Sequence, residues 1–411
     1  MNILIVTHYL DNFAGSELFT KELAERLAKK SHKIFVYAPF LGKVSDSMKN
    51  KGIDIVSDLK NISLEKIDVI HAQHNVTAIL VRSVFPNTPM VFMSHGVVPE
   101  LEQSPSIDIG ISRYIAVSEE VKENLLKSNI SEDKIDIVRN FVDTEKFCCR
   151  NKINKKPKKV LVISNHYTDE VRSNIEKACE ELKIFVEHVG LPNNPTDDVA
   201  GAINRSDIVF TLGRGALEAM SCERNVIVYD VHGADGFINE ENFFDYRKKN
   251  FSGRTNSINF SKSELKEEIG KYDPNLGLKL RNVVRKENEI EFIVSRLEKI
   301  YENALNGGVH DSKLQKDELY RELLFLEKRM ISFDLQARVN NRKIKELKNA
   351  LKIKNEEIDL KNREIELRRR NIESIKEDIY SKDREIEFIK SSKFWKIRNG
   401  YAKLKNRMLK K

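Results

Sequence analysis

The stretch Thr211-Leu-Gly-Arg-Gly-Ala-Leu-Glu-Ala-Met-Ser-Cys-Glu-Arg-Asn-Val-Ile-Val-Tyr-Asp-Val-His-Gly-Ala-Asp-Gly-Phe-Ile238 decides how this chain folds. It reads as a strand end, a glycine turn, a short helix, a buried strand and a second glycine loop. The turn Gly213-Arg214-Gly215 comes where the helix begins, so free backbone N–H groups and the helix dipole predict an anion site. Glu218 lies one turn further on, within reach of a sugar hydroxyl beside that anion. A phosphate next to a sugar indicates a nucleotide-sugar pocket.

Short apolar runs alternate with helical segments over the first 300 residues. Such runs are typical of strands buried on both faces, and their alternation with helices predicts parallel α/β sheets. The expected strands are Ile3–Thr7, Lys33–Ala38, Ile67–His71, Met90–Met93, Tyr114–Val117, Val160–Ser164, Ile184–Val189, Ile208–Leu212 and Val226–Tyr229. The predicted fold class is α/β, with two Rossmann-like domains followed by a long α-helical coiled coil. Ligands of such sheets bind at the carboxyl ends of the strands.

Composition divides the chain into five parts. Residues 146–159 are rich in Lys and Asn and contain Pro157, which predicts a linker. A final helix is expected over Arg281–Leu305, closed by Asn306-Gly-Gly308. The predicted parts are an N-terminal acceptor-side domain (1–145), the linker (146–159), a C-terminal nucleotide-sugar domain (160–308), a coiled coil (313–390) and a basic amphipathic tail (391–411).

The positive charge of the chain is concentrated at its C-terminal end. The whole chain has a net charge of +8, but residues 309–411 carry 29 Lys and Arg against 18 Asp and Glu. Residues 1–308 are therefore slightly acidic, at −3. A slightly acidic body argues against nucleic acid as a partner of the predicted α/β domains.

A seven-residue repeat marks the segment after residue 313. Ile358, Ile365, Ile372, Ile379 and Ile386 recur at that spacing, which favours a left-handed coiled coil and self-association into a homo-oligomer. The companion core positions are mostly cationic: Lys361, Arg368, Ile375, Lys382 and Ile389. The coil should therefore be weak or need a partner, and a solvated single helix held by charge pairs is the alternative.

The last 21 residues combine cationic and aromatic side chains. Ser391–Lys411 holds eight Lys or Arg and no acidic residue, interleaved with apolar residues that include Trp395, the one tryptophan of the chain. This composition predicts docking on an anionic membrane surface. A nucleic-acid-binding tail and a disordered end are the alternatives.

Cysteine usage and hydropathy limit the remaining possibilities. Cys148, Cys149, Cys179 and Cys222 lack metal-ligand spacing, which fits a reduced, cytoplasmic setting without a disulfide framework. No signal peptide or membrane-spanning segment is expected. His71 and His74 lie three residues apart, but a loop past a strand is a poor metal cage. No metal and no cofactor is therefore expected.

Several short motifs occur in an order that resembles the GT-B glycosyltransferases of the large retaining, sugar-nucleotide-dependent group called family 4. They are an early Gly-Ser-Glu loop, Ser94-His-Gly96, Tyr114-Ile-Ala-Val-Ser118, Asn140-Phe-Val-Asp-Thr-Glu-Lys-Phe147 and Ala216-Leu-Glu-Ala-Met220. Ile163-Ser-Asn-His166, Tyr229-Asp-Val-His-Gly-Ala-Asp-Gly236 and Asn250-Phe-Ser-Gly-Arg254 resemble a bacterial subset of that group that makes glycans and polysaccharides. The resemblance covers roughly residues 1–305.

The resemblance implies roles for particular residues. Gly15 and Ser16, in the loop that opens the first helix, would touch the donor phosphate and the acceptor. His95 would face the transferred sugar and steady positive charge at its anomeric carbon, and Glu218 would bind the nucleotide ribose. Donor contacts are also expected from Asn165, His166, Gly213, Arg214, Gly215, Asp230 and Gly233, with His232 and Asp235 as further candidates. Each also has a structural reading, as a helix cap, a loop histidine or an ordinary Asp-Gly turn.

The chain departs from the family pattern at two places. Phe210 stands where the family has a second glutamate that contacts the donor sugar, eight residues before Glu218. After the first strand of the second half, the family commonly has an Arg and a Lys for the diphosphate, whereas this chain has Ser164-Asn-His-Tyr-Thr-Asp-Glu-Val-Arg172. We expect Arg214, together with Arg172, to supply the missing charge.

The sequence thus predicts a retaining, metal-independent glycosyltransferase. It would move a sugar from a nucleoside-diphosphate sugar to a glycan or lipid-linked acceptor, at the inner face of the membrane. The lost family charges favour one rival, a non-catalytic scaffold that acts through its coiled coil and tail. A weaker rival is another GT-B enzyme, such as a sugar-nucleotide epimerase or a phosphorylase-like protein.

Overall fold

The computed structural model describes residues 1–11, 15–62, 64–165, 168–190, 194, 196, 198–231, 233–307 and 316–409. They form two compact units, residues 1–319 and residues 320–411, which are described separately. The strands are β1 (Asn2–Val6), β2 (Tyr9–Leu10), β3 (Lys33–Tyr37), β4 (Phe40–Leu41), β5 (Asp54–Val56), β6 (Val69–Ala72), β7 (Met90–Ser94), β8 (Arg113–Ala116), β9 (Ile135–Ile137), β10 (Lys159–Ile163), β11 (Phe185–Val189), β12 (Ile208–Thr211), β13 (Asn225–Asp230) and β14 (Gly233–Phe237).

Helices separate most of these strands. They are α1 (Gly15–Lys29), α2 (Lys43–Lys49), α3 (Asn75–Val84), α4 (Glu119–Lys127), α5 (Asp169–Glu181), α6 (Val199–Asn204), α7 (Arg214–Ser221), α8 (Phe243–Lys248), α9 (Lys262–Gly270), α10 (Leu276–Asn288), α11 (Ile290–Asn306), α12 (Lys316–Ser391) and α13 (Lys393–Met408).

The first half of the first unit is built on a parallel sheet. Within the described residues its strand order is β5-β3-β1-β6-β7-β8-β9, and every neighbouring pair is parallel. Strands β6 and β7 are buried along their whole length, because helices cover both faces of the sheet. The parallel α/β fold predicted for this half is confirmed.

The second half carries a smaller, mixed sheet in the order β11-β10-β12-β13-β14. Its first four strands are parallel, as predicted, but β14 runs antiparallel to β13. The expectation of a glycine loop after β13 was wrong in this respect, since Gly233 begins a strand. A close approach of two backbones explains the glycine: a Cβ at Gly233, whose φ is +128°, would lie 2.6 Å from the carbonyl oxygen of Gly253.

The final helix of the first unit is broken in two, against the prediction of one helix over Arg281–Leu305. Glu289 has extended backbone angles (φ −58°, ψ 131°) and forms an isolated parallel bridge with Val142. Beyond this break, α11 packs its apolar face, including Val294, Leu297 and Tyr301, into the core of the first half. The end of the second half therefore returns to the first, which ties the two sheets together.

The second unit is helical throughout its described residues, with α12 followed by α13. The repeated isoleucines of α12 are about half exposed, from 46% at Ile386 to 55% at Ile379. In the described part of the chain, no helix is both long enough and apolar enough to cross a membrane.

Candidate active site

The carboxyl ends of neighbouring strands meet at one edge of each sheet. In the first sheet, His8 follows β1, His71 and His74 lie at the end of β6, and His95 follows β7. In the second sheet, β12 leads into Gly213 and helix α7. Contacts between α1 and α7 join the two edges, so the site lies between the sheets.

The glycine turn before α7 is built by close packing. Gly213 has φ +57° and precedes the first helical residue, and a Cβ on Gly215 would lie 2.3 Å from Thr211 Oγ1. The N–H of Gly213 already donates to the carbonyl oxygen of Phe251 (2.9 Å). Among the described residues, the N–H groups of Arg214 and Gly215 have no such partner. The anion site predicted here therefore offers these two donors, and not the Gly213 N–H.

Arg214 is held between two carboxylates. Its Nη2 pairs with Oε2 of Glu22 on α1, and its Nε lies 3.0 Å from Oε1 of Glu218. Glu22 in turn accepts from Lys146 Nζ (2.9 Å). The side chains of Glu22, Arg214 and Glu218 are only 10–11% exposed. The result is a chain of alternating charges that crosses from α1 to α7.

The pKa values in this chain of charges follow from burial and pairing. Burial opposes the charge on Glu22, but the Arg214 and Lys146 cations prevail and lower the pKa of its carboxyl. Burial raises the pKa of Glu218, because Arg214 compensates it only in part and Glu22 is a second anion nearby. The two carboxylates hold the pKa of Arg214 above its ordinary value despite burial. Arg214 is therefore a permanent cation.

A small cavity of about 110 Å³ adjoins this chain of charges. Its lining consists of Leu18, Lys21, Glu22, Lys146, Phe147, Thr196, Val199 and Glu218. Glu218 thus lines a cavity, in addition to lying on the helix that begins at the glycine turn. Aliphatic and aromatic side chains together with charged groups of both signs suit a nucleotide, whose base is flat and whose ribose carries hydroxyls.

Aromatic rings connect Arg214 with His95. The Arg214 guanidinium lies over the ring of Phe141, 5.3 Å from its centroid. Phe141 stacks on Phe19 (4.6 Å), and Phe19 meets the imidazole of His95 edge-on (4.8 Å). The predicted donor turn and the predicted catalytic histidine are therefore parts of one packed assembly.

His95 is fixed by a relay of hydrogen bonds. Its Nε2 lies 2.9 Å from Gln73 Oε1, Gln73 Nε2 donates to Thr20 Oγ1 (3.0 Å), and Thr20 donates to the carbonyl oxygen of Ser16 (2.9 Å). This polarity places the imidazole proton on Nε2 and leaves Nδ1 as an acceptor. Burial, with the nearby Arg214 cation, lowers the pKa of His95 to about 4. His95 is therefore neutral at pH 7, and its Nδ1 can accept a hydrogen bond from a hydroxyl.

Three further histidines surround His95. The rings of His8 and His74 lie 4.7 Å apart, and His71 Nδ1 lies 2.8 Å from the hydroxyl of Tyr301. Burial lowers the pKa of His8 to about 4 and those of His71 and His74 to about 3. In the part of the chain that the structure describes, no three His, Cys, Asp or Glu side chains are grouped to hold a metal ion.

The loop before α1 is described only from Gly15 onward. Ser16 donates to Glu17 Oε2 (2.8 Å), and the position of a Cβ on Gly15 has no atom within 4 Å. Glu102 lies close to the His95-Gly96 turn: a Cβ built on Gly96 would be 2.8 Å from Glu102 Oε2. Burial and the neighbouring Glu17 carboxylate raise the pKa of Glu102 to about 7. The first half thus contributes a half-buried carboxyl next to the His95-Gly96 turn.

The other predicted donor contacts have structural partners. Asp230 accepts from Ser164 Oγ (2.6 Å) and from the N–H of Val231. Asp235 accepts from the N–H groups of Gly253 and Asn256, at 3.0 and 2.9 Å. Asn165 is exposed beside Gly190, and Arg172 pairs with Glu176 (2.9 Å). His166 and His232 lie outside the described residues.

Phe210 is fully buried in the core of the second half. Its ring meets that of Tyr229 edge-on, with centroids 6.5 Å apart. The residue at the family's sugar-contacting position is therefore a packing residue in this chain.

The segment Asn250–Arg254 braces the glycine turn. Asn250 and Phe251 both have left-handed backbones, with φ of 55° and 51°, and Phe251 accepts the Gly213 N–H. Asn250 Oδ1 accepts from Asn140 (3.1 Å), and Arg254 pairs with Glu120 on α4 through two nitrogens. This segment therefore fixes the turn and ties it to the first half.

Sequence reasoning missed Glu22, Lys146 and Gln73 as members of the site. Glu22 and Lys146 are ordinary charged residues in sequence, and nothing in their spacing to Arg214, nearly 70 residues or more away, marks them as partners. Phe141 and Lys146 lie inside the family-like motif Asn140–Phe147. That motif was the one feature of the sequence that could have pointed to Lys146 as part of the site.

Residues 13–146 match the family model described as Glycosyltransferase Family 4. Among solved structures, the chain is similar to a glycosyltransferase from Rickettsia africae (17% identity, 74% of this chain and 98% of that chain covered, TM-score 0.56). It is also similar to Anabaena Alr3699/HepE in complex with UDP-glucose (12% identity, 74% and 100% covered, TM-score 0.56). No curated protein matches the chain in sequence.

These likenesses show the fold of the protein. The two sheets with their cleft, and the return of helix α11 to the first half, form the GT-B fold, as predicted. The match of residues 13–146 to the family model makes this a family-4-like GT-B fold.

Glu102→Gln should change the pH dependence of stability. A carboxyl whose pKa rises from 4.5 to about 7 on folding destabilises the native state as pH rises through that interval. The variant should therefore match the wild type near pH 4 and exceed it at pH 8, by about 1–3 kcal/mol in the free energy of unfolding. Denaturant unfolding at both pH values measures this. Glu100→Gln, an exposed residue on the same turn, is the control. A parallel pH profile for wild type and Glu102→Gln would contradict the prediction.

Proposed function

We propose that this protein transfers a sugar from a nucleoside-diphosphate sugar to a hydroxyl of a glycan or lipid-linked acceptor, in the synthesis of a cell-surface polysaccharide or glycoconjugate. One observation carries the proposal: Glu218 faces a cavity at the start of α7, beside Arg214 and in one packed assembly with His95. That arrangement combines a cation for a diphosphate, a carboxylate for a ribose and an acceptor atom for a sugar hydroxyl.

Solved relatives support the choice of donor class. Structures of Anabaena Alr3699/HepE hold UDP-glucose or UDP with glucose, and the fold of that protein matches this chain. UDP and UDP-glucose are therefore suitable probes for the cavity.

Each group would act mainly by position and charge. The N–H groups of Arg214 and Gly215, with the Arg214 side chain, would hold the leaving diphosphate at the positive end of α7. Glu218 would accept hydrogen bonds from the ribose hydroxyls. His95 Nδ1 would accept a hydrogen bond from a hydroxyl of the transferred sugar and orient its anomeric carbon. Retention of configuration and independence from metal ions are part of the proposal, since the family resemblance implies both.

Glu218→Ala should weaken UDP binding at least about tenfold, because two charge-assisted hydrogen bonds to a ribose would be lost. Isothermal titration with UDP, and hydrolysis or transfer from UDP-glucose, measure the effect. Glu223→Ala is the matched control, because Glu223 lies two residues beyond the end of α7 and pairs with Arg281, and neither residue lines the cavity. Equal UDP affinity in wild type and Glu218→Ala would remove Glu218 from the donor site.

A non-catalytic scaffold is the rival function, and Phe210 favours it. The buried ring replaces a family glutamate, and the loop after β10 lacks the family's two cations. A scaffold would bind neither UDP nor UDP-glucose, whereas a different GT-B enzyme would bind the nucleotide sugar without transferring the sugar to an acceptor.

The basic helix α13 supports membrane docking as part of this proposal. Phe394, Ile397, Tyr401 and Leu404 recur at helical spacing and are 63–89% exposed. Cations flank that stripe, so the helix can place apolar side chains and positive charge on an anionic surface together. A cytoplasmic enzyme docked in this way would meet lipid-linked acceptors.

Deletion of residues 391–411 should abolish sedimentation with vesicles that contain about one third phosphatidylserine. Neutral phosphatidylcholine vesicles should bind neither form, because the electrostatic attraction is then missing. A variant with Phe394, Ile397 and Leu404 changed to Ser keeps the charge and should also bind weakly. Undiminished sedimentation of the deletion variant would refute docking through the tail.

Helix α12 supports self-association as the remaining part of the proposal. Its isoleucines are half exposed and recur at seven-residue spacing, which is the spacing that a coiled-coil seam requires. Ile365→Lys with Ile372→Lys should lower the sedimentation coefficient to that of a monomer. Leu367→Lys, which adds a charge outside the seam, is the control. A wild type that sediments as a monomer at 100 µM, on the order of weak dimer affinities, would count against self-association.

A further inference from the structure

The chain of charges around Arg214 leaves no net positive charge for a phosphate. Lys146 and Arg214 are cations, and Glu22 and Glu218 are anions, so the four groups sum to zero. Arg214 was expected to replace the cations that the family has for the diphosphate. Its charge is already neutralised by Glu22 and Glu218. A diphosphate brought to this site would meet Glu22 at the place where it needs the guanidinium.

Glu22 and Glu218 reach Arg214 from opposite sides. Glu218 lies four residues after Arg214 on α7, and their pairing is local to that helix. Glu22 lies 192 residues away on α1, in the other half of the first unit. The Glu22 contact is therefore the one that separates when the two halves move apart, while Glu218 stays with the turn.

The cavity at this contact is too small for a donor. It measures about 110 Å³, whereas sites for ligands of drug size typically measure about 300–1,000 Å³. Glu22 and Lys146 form part of its wall. A nucleoside diphosphate can enter only if this wall moves.

We infer that Glu22 closes the donor cleft by occupying Arg214 in place of the donor diphosphate, and that a diphosphate displaces it. The inference rests on the proposed function and adds a positioning residue to it. In the closed state, Glu22 gives the buried Arg214 cation a second carboxylate partner besides Glu218, which lowers the cost of burying its charge. In the bound state, the diphosphate oxygens take over that pairing, and Glu22 keeps Lys146, which is 43% exposed, as its partner.

Removal of this competitor should strengthen phosphate binding. Glu22→Gln raises the summed charge of the four groups from zero to +1 and ends the competition for Arg214. If the open form is the binding-competent one, its larger population raises the apparent affinity in proportion. We expect UDP and inorganic pyrophosphate to bind Glu22→Gln about tenfold more tightly than the wild type. Arg214→Ala should abolish this gain.

Titration calorimetry of the full-length chain with UDP and with pyrophosphate is the first readout. Glu298→Gln is the matched control, because it removes the same charge from a part-buried carboxylate that pairs with Lys30 of α1 but does not line the cavity. Glu22→Asp keeps the charge but shortens its reach by one methylene, and should fall between wild type and Glu22→Gln. It also guards against a Glu22→Gln variant that fails to fold.

Hydrogen exchange is the second readout. Amides of α1 and of the first turn of α7 should exchange faster in Glu22→Gln than in Glu298→Gln, since the closing contact is lost, and UDP should slow the exchange in both. Equal or weaker UDP binding by Glu22→Gln, with the wild type still binding, would overturn the role of Glu22 and leave the nucleotide site intact. Absence of binding in both forms would overturn the nucleotide site, and with it the competition.

Discussion

The guanidinium of Arg214 is the constraint on which the cleft depends. A cation that is nearly nine-tenths buried must keep carboxylate or phosphate partners, because an unpaired buried charge is strongly destabilising. One partner, Glu218, is supplied within the same helix, and the other, Glu22, comes from the opposite half. The two halves are therefore joined at the point where a GT-B protein would admit its donor. Arg214 therefore links the stability of the contact between the two halves to the access of a donor to the cleft.

The scaffold around Arg214 is arranged to hold this group in place. Phe141 supports the guanidinium, the Asn250–Phe251 pair fixes the glycine turn, and α11 returns from the second half to pack on the first. Two left-handed residues in succession cost conformational energy, which the hydrogen bond to Gly213 and the contact with Asn140 offset in part. The strain lies directly behind the turn that would bind phosphate.

His95 shows how the same scaffold sets chemistry. A loop histidine would be partly protonated near neutral pH, but burial and the neighbouring Arg214 keep this one neutral, and the Gln73–Thr20 relay defines its tautomer. The surrounding histidines also have lowered pKa values, mainly because of burial. The imidazoles at this edge of the first sheet are thus polar but neutral, which suits the hydroxyls of a sugar.

The sequence by itself determined nine of the fourteen strands in the described residues, the two α/β halves and the long C-terminal helix, because apolar runs and their spacing reflect local burial. It also indicated Gly213–Glu218 and His95, since strand ends followed by glycine are visible locally. It did not reveal the break at Glu289, the antiparallel β14 or the bracing role of Asn250–Arg254, because each depends on a contact with a distant backbone. Above all, only the tertiary structure decided what Arg214 does. Its partner Glu22 lies 192 residues away, and a charge pair across a cleft leaves no periodicity in the chain.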